Sequence, residues 1–120
     1  MKISILPHSF TVCKLNSLAD IPLDSPFFFF ARTDGELSLV CPTEDVPART
    51  EAREDGWRAF RVEGPLDFSL VGILAQISAV LAEKGIALFA VSTYDTDTVL
   101  VRSGDLDAAV RALREAGWQT

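Results

Sequence analysis

Between Ser69 and Gly85 the apolar residues Leu70, Ile73, Leu74, Ile77, Val80 and Leu81 recur at helical spacing, while Gln76, Ser78 and Glu83 fall off that stripe. This spacing gives an α-helix one apolar face, and such a helix is held by packing that face on an apolar surface. Its ends are marked as well. Asp67 or Ser69 can accept backbone N–H bonds at the start, and Gly85 suits the left-handed residue that closes a helix. A second helix is expected over Asp105 to Ala116, with Leu106, Ala109, Val110 and Leu113 as its buried stripe. Asp105 and Asp107 in its first turn and Arg111 and Arg114 toward its end complement the helix dipole.

Around these helices lie runs rich in β-branched and aromatic residues. Trp57–Val62 alternates, with Phe60 and Val62 on one side and Arg58 sharing that side at the exposed end; Ile86–Val91 and Thr98–Val101 follow the first helix. From Trp57 onward the expected order is strand, helix, strand, strand, helix. Upstream, Ser9–Leu15, Pro26–Thr33 and Glu36–Cys41 are strand-like, and Asp34-Gly35 between the last two is a strong hairpin signal. Phe27–Phe30 cannot alternate polar with apolar, so that strand should be covered on both faces or lie at a seam.

A shift of 61 residues places Phe28 on Phe89, Asp34 on Asp95, Leu39 on Leu100 and Glu44 on Asp105. The hairpin therefore occurs twice, while Asn16–Ser25 is too short to repeat the long helix. The expected fold is α+β, two tandem ferredoxin-like βαββαβ units with antiparallel sheets and helices on one face, over residues 1–55 and 56–120. The C-terminal unit is left with the stub Trp118–Thr120 as its last strand. Lys2–Leu6, which has no evident partner in the first unit, is therefore expected to cross over and complete the second sheet.

The formal net charge of −6 and a pI near 4.6 argue against attraction to nucleic acid or to anionic membranes, both of which need clustered cations. Met1–Pro7 is too short for a secretory segment, which points to the cytoplasm. Cys13 and Cys41 are then expected to be buried free thiols. His8 is the one histidine and has no nucleophile motif beside it, and the aspartates near residues 95–107 lack the glycine and closing glutamate of a calcium loop. No catalytic residue, metal or cofactor is expected.

The segment Gly64-Pro65-Leu66-Asp67-Phe68-Ser69-Leu70-Val71-Gly72-Ile73-Leu74, followed by Ser92-Thr93-Tyr94-Asp95-Thr96-Asp97 in a βαββα frame, resembles the ACT-domain family. Within it the likeness is to the branch of aspartokinase regulatory domains and cytosolic arginine sensors. The resemblance implies tandem units that bind an amino acid at their interface and regulate a separate protein. It implies no turnover.

The residues support a small zwitterion independently of that resemblance. A helix N-terminus over Asp67, Leu70, Val71, Gly72 and Ile73 would receive an α-carboxylate. Asp67, with Asp95 and Asp97 of the Ser92, Thr93, Tyr94 loop, would accept an α-ammonium. Asp67 as a plain helix cap, and Asp95 and Asp97 as plain turn residues, are the competing readings. A homodimer is expected, since unpaired sheet edges are liabilities that proteins cover. The alternative function is a structural dimerisation module without a ligand.

Overall fold

The computed structural model describes residues 1–63 and 72–120. They form two compact units: His8–Trp57, called the first, and Met1–Pro7 with Arg58–Thr120, called the second. The strands are β1 (Ile3–Ile5), β2 (Phe10–Leu15), β3 (Phe29–Arg32), β4 (Leu37–Pro42), β5 (Ala52–Val62), β6 (Leu88–Ser92) and β7 (Asp97–Arg102). The helices are α1 (Ile73–Glu83) and α2 (Leu106–Glu115). β5 is longer than its alternating stretch suggests, because it gives its first half to one unit and its second half to the other.

In the second unit the strand order is β6-β7-β5 with β1 pairing β5 on the other side. The crossover expected for the N-terminal strand is present. Ile3 lies opposite Val62, Ser4 opposite Arg61 and Ile5 opposite Phe60, all antiparallel. The C-terminal stub contributes a parallel bridge from Gln119 to Lys2, and Gln119 O accepts from Ile3 N at 2.8 Å. A three-residue tail is too short to make an edge strand, so the other chain end fills the position.

The core of this unit gathers Ile3, Phe60, Val62, Val99 and Val101 from the sheet with Ile77 and Leu81 of α1 and Leu106, Ala109, Val110 and Leu113 of α2. The stripe of α1 is more graded than its periodicity suggests. Ile77 and Leu81 are fully buried, whereas Ile73, Leu74 and Val80 are partly buried against the same cluster. Leu70 lies outside the described residues. Arg58 also departs from the sequence reading. It is half-buried, and its Nη2 donates to the Leu6 carbonyl at 3.2 Å instead of standing at an exposed end.

The first unit has the order β3-β4-β2-β5, fully antiparallel. It contains no α-helix. Two 3-10 turns, Leu18–Asp20 and Thr43–Asp45, stand where helices would be, and each is followed by an apolar residue, Ile21 or Val46, laid on Cys13, Leu15, Leu39 and Cys41. Ser25 Oγ donates to Asp45 Oδ2 at 2.6 Å, tying the two connections together.

The Phe27–Phe30 run leads into the edge strand β3, which takes up Phe29 and Phe30 only. Phe28 and Phe30 pack with the thiol cluster, and Phe27 and Phe29 meet edge to face at 5.4 Å, with Phe27 also 5.6 Å from Phe10 and 6.3 Å from His8. Both faces are thus contacted, but all four rings remain partly exposed, contrary to full cover.

A bulge bends β5. Phe10 faces Trp57 and Val12 faces Glu54, so two steps on β2 match three on β5. Gly56 supplies the needed left-handed backbone at φ 87. The extra residue aims Asp55 at Thr11, whose buried Oγ1 donates to Asp55 Oδ1 at 2.6 Å, while Arg53 donates to the same oxygen through Nη2 at 2.9 Å and Nε at 3.2 Å.

The hairpin repeat holds, with one correction. Thr33 N bonds Glu36 O in the first hairpin and Thr93 N bonds Thr96 O in the second, so the turns align at a shift of 60 and Asp34 corresponds to Tyr94, not Asp95. Gly35 does not take a positive φ. The Asp34-Gly35 turn is instead held by Thr33 Oγ1, which accepts from the N–H groups of Gly35 and Glu36.

Candidate functional site

The alternation of β5 dictates where its charges point. Phe60 and Val62 are buried in the second unit's core, so Arg61 between them turns to the other face of the sheet. Ser4, flanked by the core residue Ile3, is its direct cross-strand neighbour. Glu63 carries the ladder one residue further, its N–H bonding Lys2 O at 2.9 Å. The β6–β7 turn comes to the same place: Thr96 Oγ1 donates to the Val62 carbonyl, fixing that turn to the end of β5. The result is a surface cleft of about 560 Å³ lined by Ser4, Arg61, Val62, Glu63, Thr93, Asp95 and Thr96.

Its chemistry is mixed. One guanidinium, two carboxylates and three hydroxyls line it, and among the described residues Arg61, Glu63 and Asp95 are not joined to one another by ion pairs. A cleft of this size falls in the range used for small-molecule ligands. The opposed charges suit a ligand that is itself bipolar.

The sequence-derived site residues are distributed unevenly around this cleft. Thr93 and Asp95 line it. Ser92 and Asp97 face each other at the base of the hairpin, where Ser92 Oγ donates to Asp97 Oδ1 at 2.5 Å. Tyr94 is 80% exposed at the turn and is not among the lining residues. Gly72 and Ile73 begin α1, with Gly72 in the left-handed region at φ 83. Its glycine suits that backbone conformation, and among the described residues an added Cβ would meet nothing within 4 Å. Asp67, Leu70 and Val71 lie outside the described residues. Ser4, Arg61, Glu63 and Thr96 were not singled out from the sequence.

The two thiols belong to the first unit and are not among the residues lining the cleft. Burial raises the Cys13 thiol, and burial, reinforced by Cys13 and Asp45, pushes that of Cys41 up to about 12. At neutral pH both are protonated and therefore poor nucleophiles. Among the described residues no helix is long and apolar enough to cross a membrane.

The family model described as the ACT domain matches residues 52–115, more than half of the chain. The chain belongs to the ACT-domain family. The matched stretch is the β5-α1-β6-β7-α2 frame, and a second model, described as an N-terminal domain, matches residues 8–49. This ACT protein is 31% identical over 96 residues to the cytosolic arginine sensor for mTORC1 subunit 1 of Rattus norvegicus, over 74% of this chain and 29% of the relative. The chain thus spans less than a third of that relative's length.

Among solved structures, a crystal structure of an Agobacterium tumefaciens protein is 35% identical, with a TM-score of 0.87 over 98% of this chain and 90% of that one. The ligand-free regulatory subunit of aspartate kinase from Thermus thermophilus shares the fold at 10% identity, with a TM-score of 0.68 over 98% of each chain. The matches thus include a protein named as an arginine sensor and one named as a regulatory subunit.

Proposed function

We propose that this protein is a regulatory module that binds a free amino acid or a similar small zwitterion in the cleft of its second unit, reports it to a separate protein, and performs no catalysis. The observation that carries the reading is the meeting of Arg61 with Glu63 and Asp95 in one cleft of an ACT domain. Two carboxylates against one guanidinium leave one negative charge in excess, which suits a ligand of net positive charge. The arginine in the rat relative's name makes L-arginine the first ligand to test.

In the same reading His8–Trp57 is a degenerate ACT unit, supported by its β3-β4-β2-β5 order, so the chain is a tandem pair that works in the cytoplasm. It acts as a homodimer, which light scattering at tens of micromolar would refute by returning a monomer mass. The site extends to Asp67 and the α1 entry at Gly72 and Ile73, and to the Ser92–Asp97 pair beside the cleft.

A thermal-shift screen of the twenty amino acids tests the reading. A ligand present at a hundred times its Kd adds about 2.7 kcal/mol to stability and raises the melting temperature accordingly. A screen in which none of the twenty stabilises the protein would leave the alternative, a structural dimerisation module.

A further inference from the structure

We infer that Arg61 is the carboxylate anchor of the cleft, seconded by Ser4, so that the N-terminal strand supplies part of the binding site. This inference rests on the ligand-binding reading above. Three observations carry it. Arg61 is the one cationic side chain lining the cleft among the described residues, and the other charged groups there, Glu63 and Asp95, would repel a carboxylate. The guanidinium presents a planar fork of donors that matches a carboxylate, and among the described residues no ion pair or side-chain hydrogen bond occupies it. Ser4 lies directly across from Arg61 in the β1–β5 ladder and lines the same cleft, so its hydroxyl is a second donor at the same end.

The opposite end is set by geometry. Glu63 follows Arg61 by two residues, which displaces it by roughly 6.5 Å along the chain in extended backbone. Asp95 reaches the cleft from the β6–β7 turn, whose Thr96 hydroxyl is already committed to the Val62 carbonyl and keeps that wall in place. A bound amino acid is therefore oriented with its carboxylate at Arg61 and Ser4 and its cationic groups toward Glu63 and Asp95. This differs from an orientation in which a helix N-terminus takes the carboxylate.

The test is a two-by-two titration of the full chain by calorimetry: L-arginine against L-argininamide, which lacks the carboxylate charge, on the wild type and on Arg61→Gln. With Arg61 present, the wild type binds L-arginine at least tenfold tighter than the amide. In Arg61→Gln the cleft holds two carboxylates and no cation, so the preference inverts and the doubly charged amide binds tighter. Arg61→Lys retains the sign of the wild-type preference with a smaller ratio, and it serves as the second variant should Arg61→Gln fold poorly.

An unchanged arginine-to-amide ratio in Arg61→Gln, or a wild type that does not distinguish the two probes, overturns the anchor while leaving ligand binding intact. A wild type that binds neither probe and none of the twenty amino acids overturns the ligand reading, and the anchor with it.

Discussion

Replacing Ile3 by alanine tests the crossover of the N-terminal strand, because it removes a core residue that the chain places more than fifty positions from the strand it packs beside. Ile3 is 0% exposed, opposite Val62, in the same cluster as Phe60, Ile77, Leu81 and Leu113. The substitution removes three carbons, worth about 2.4 kcal/mol of transfer energy at about 0.8 kcal/mol each. The cavity left between the sheet and two helices adds to this, and a loss of about 3 kcal/mol is expected within the roughly 2–5 kcal/mol span for such truncations.

Against a total stability of roughly 5–15 kcal/mol, that loss is readily measured by urea melts. The same change at Ile5, two residues on but 42% exposed, should cost less than about 1 kcal/mol and serves as the internal control. Hydrogen exchange should quicken across Arg58–Thr120, the unit to which β1 belongs. Equal small losses at both positions, or exchange that quickens only within His8–Trp57, would refute the reasoning.

Gly56→Ala should destabilise by about 1 kcal/mol, because φ 87 strains any L residue while the added Cβ meets nothing within 4 Å among the described residues; a melt unchanged within error would show the bulge relaxing at no cost. Asp55 has its carboxyl held below the ordinary carboxylate range, first by the Thr11 hydroxyl and then by Arg53. A depressed folded-state value contributes stability above the unfolded value of about 4 and loses it as pH falls through the folded one, so Asp55→Asn should flatten the acid side of the stability profile below about pH 4. Identical acid limbs would contradict this. Cys13 and Cys41 should resist alkylation at pH 8 in the native protein and react once urea unfolds it, whereas rapid labelling of the native chain would count against their buried, protonated state.

The elements themselves were legible where periodicity and local chemistry agree. α2 was, because Leu106, Ala109, Val110 and Leu113 form an unmixed stripe with charges matched to both ends, and all four are buried in the structure. The crossover was legible by counting, since a sheet needs a fourth strand and three terminal residues cannot supply it. The Phe27–Phe30 row was less so. A row of rings states that both faces are apolar, but not that the strand lies at an edge, where each ring keeps part of its surface in water. The first hairpin was found by its Asp34-Gly35 signal, although the side chain holding it is that of Thr33.

The cleft was half legible, and the missing half has a physical cause. Thr93 and Asp95 stand out because a polar turn between apolar strands is conspicuous in any sequence. Arg61 does not, because an outward charge between two inward apolar residues is what every half-buried strand displays, and alternation alone cannot distinguish a solvated arginine from one aimed into a site. What distinguishes it is register. Only when Ile3 is set against Val62 does Ser4 fall opposite Arg61, and only when the Thr96 hydroxyl bonds the Val62 carbonyl does the β6–β7 turn close over the same spot. Three segments far apart in the chain must therefore be placed before Arg61 has a ligand-sized space beside it. The crossover that completes the sheet is also what completes the cleft, so a chain lacking its first seven residues should lose both the Ile3 packing and the carboxylate end of the site.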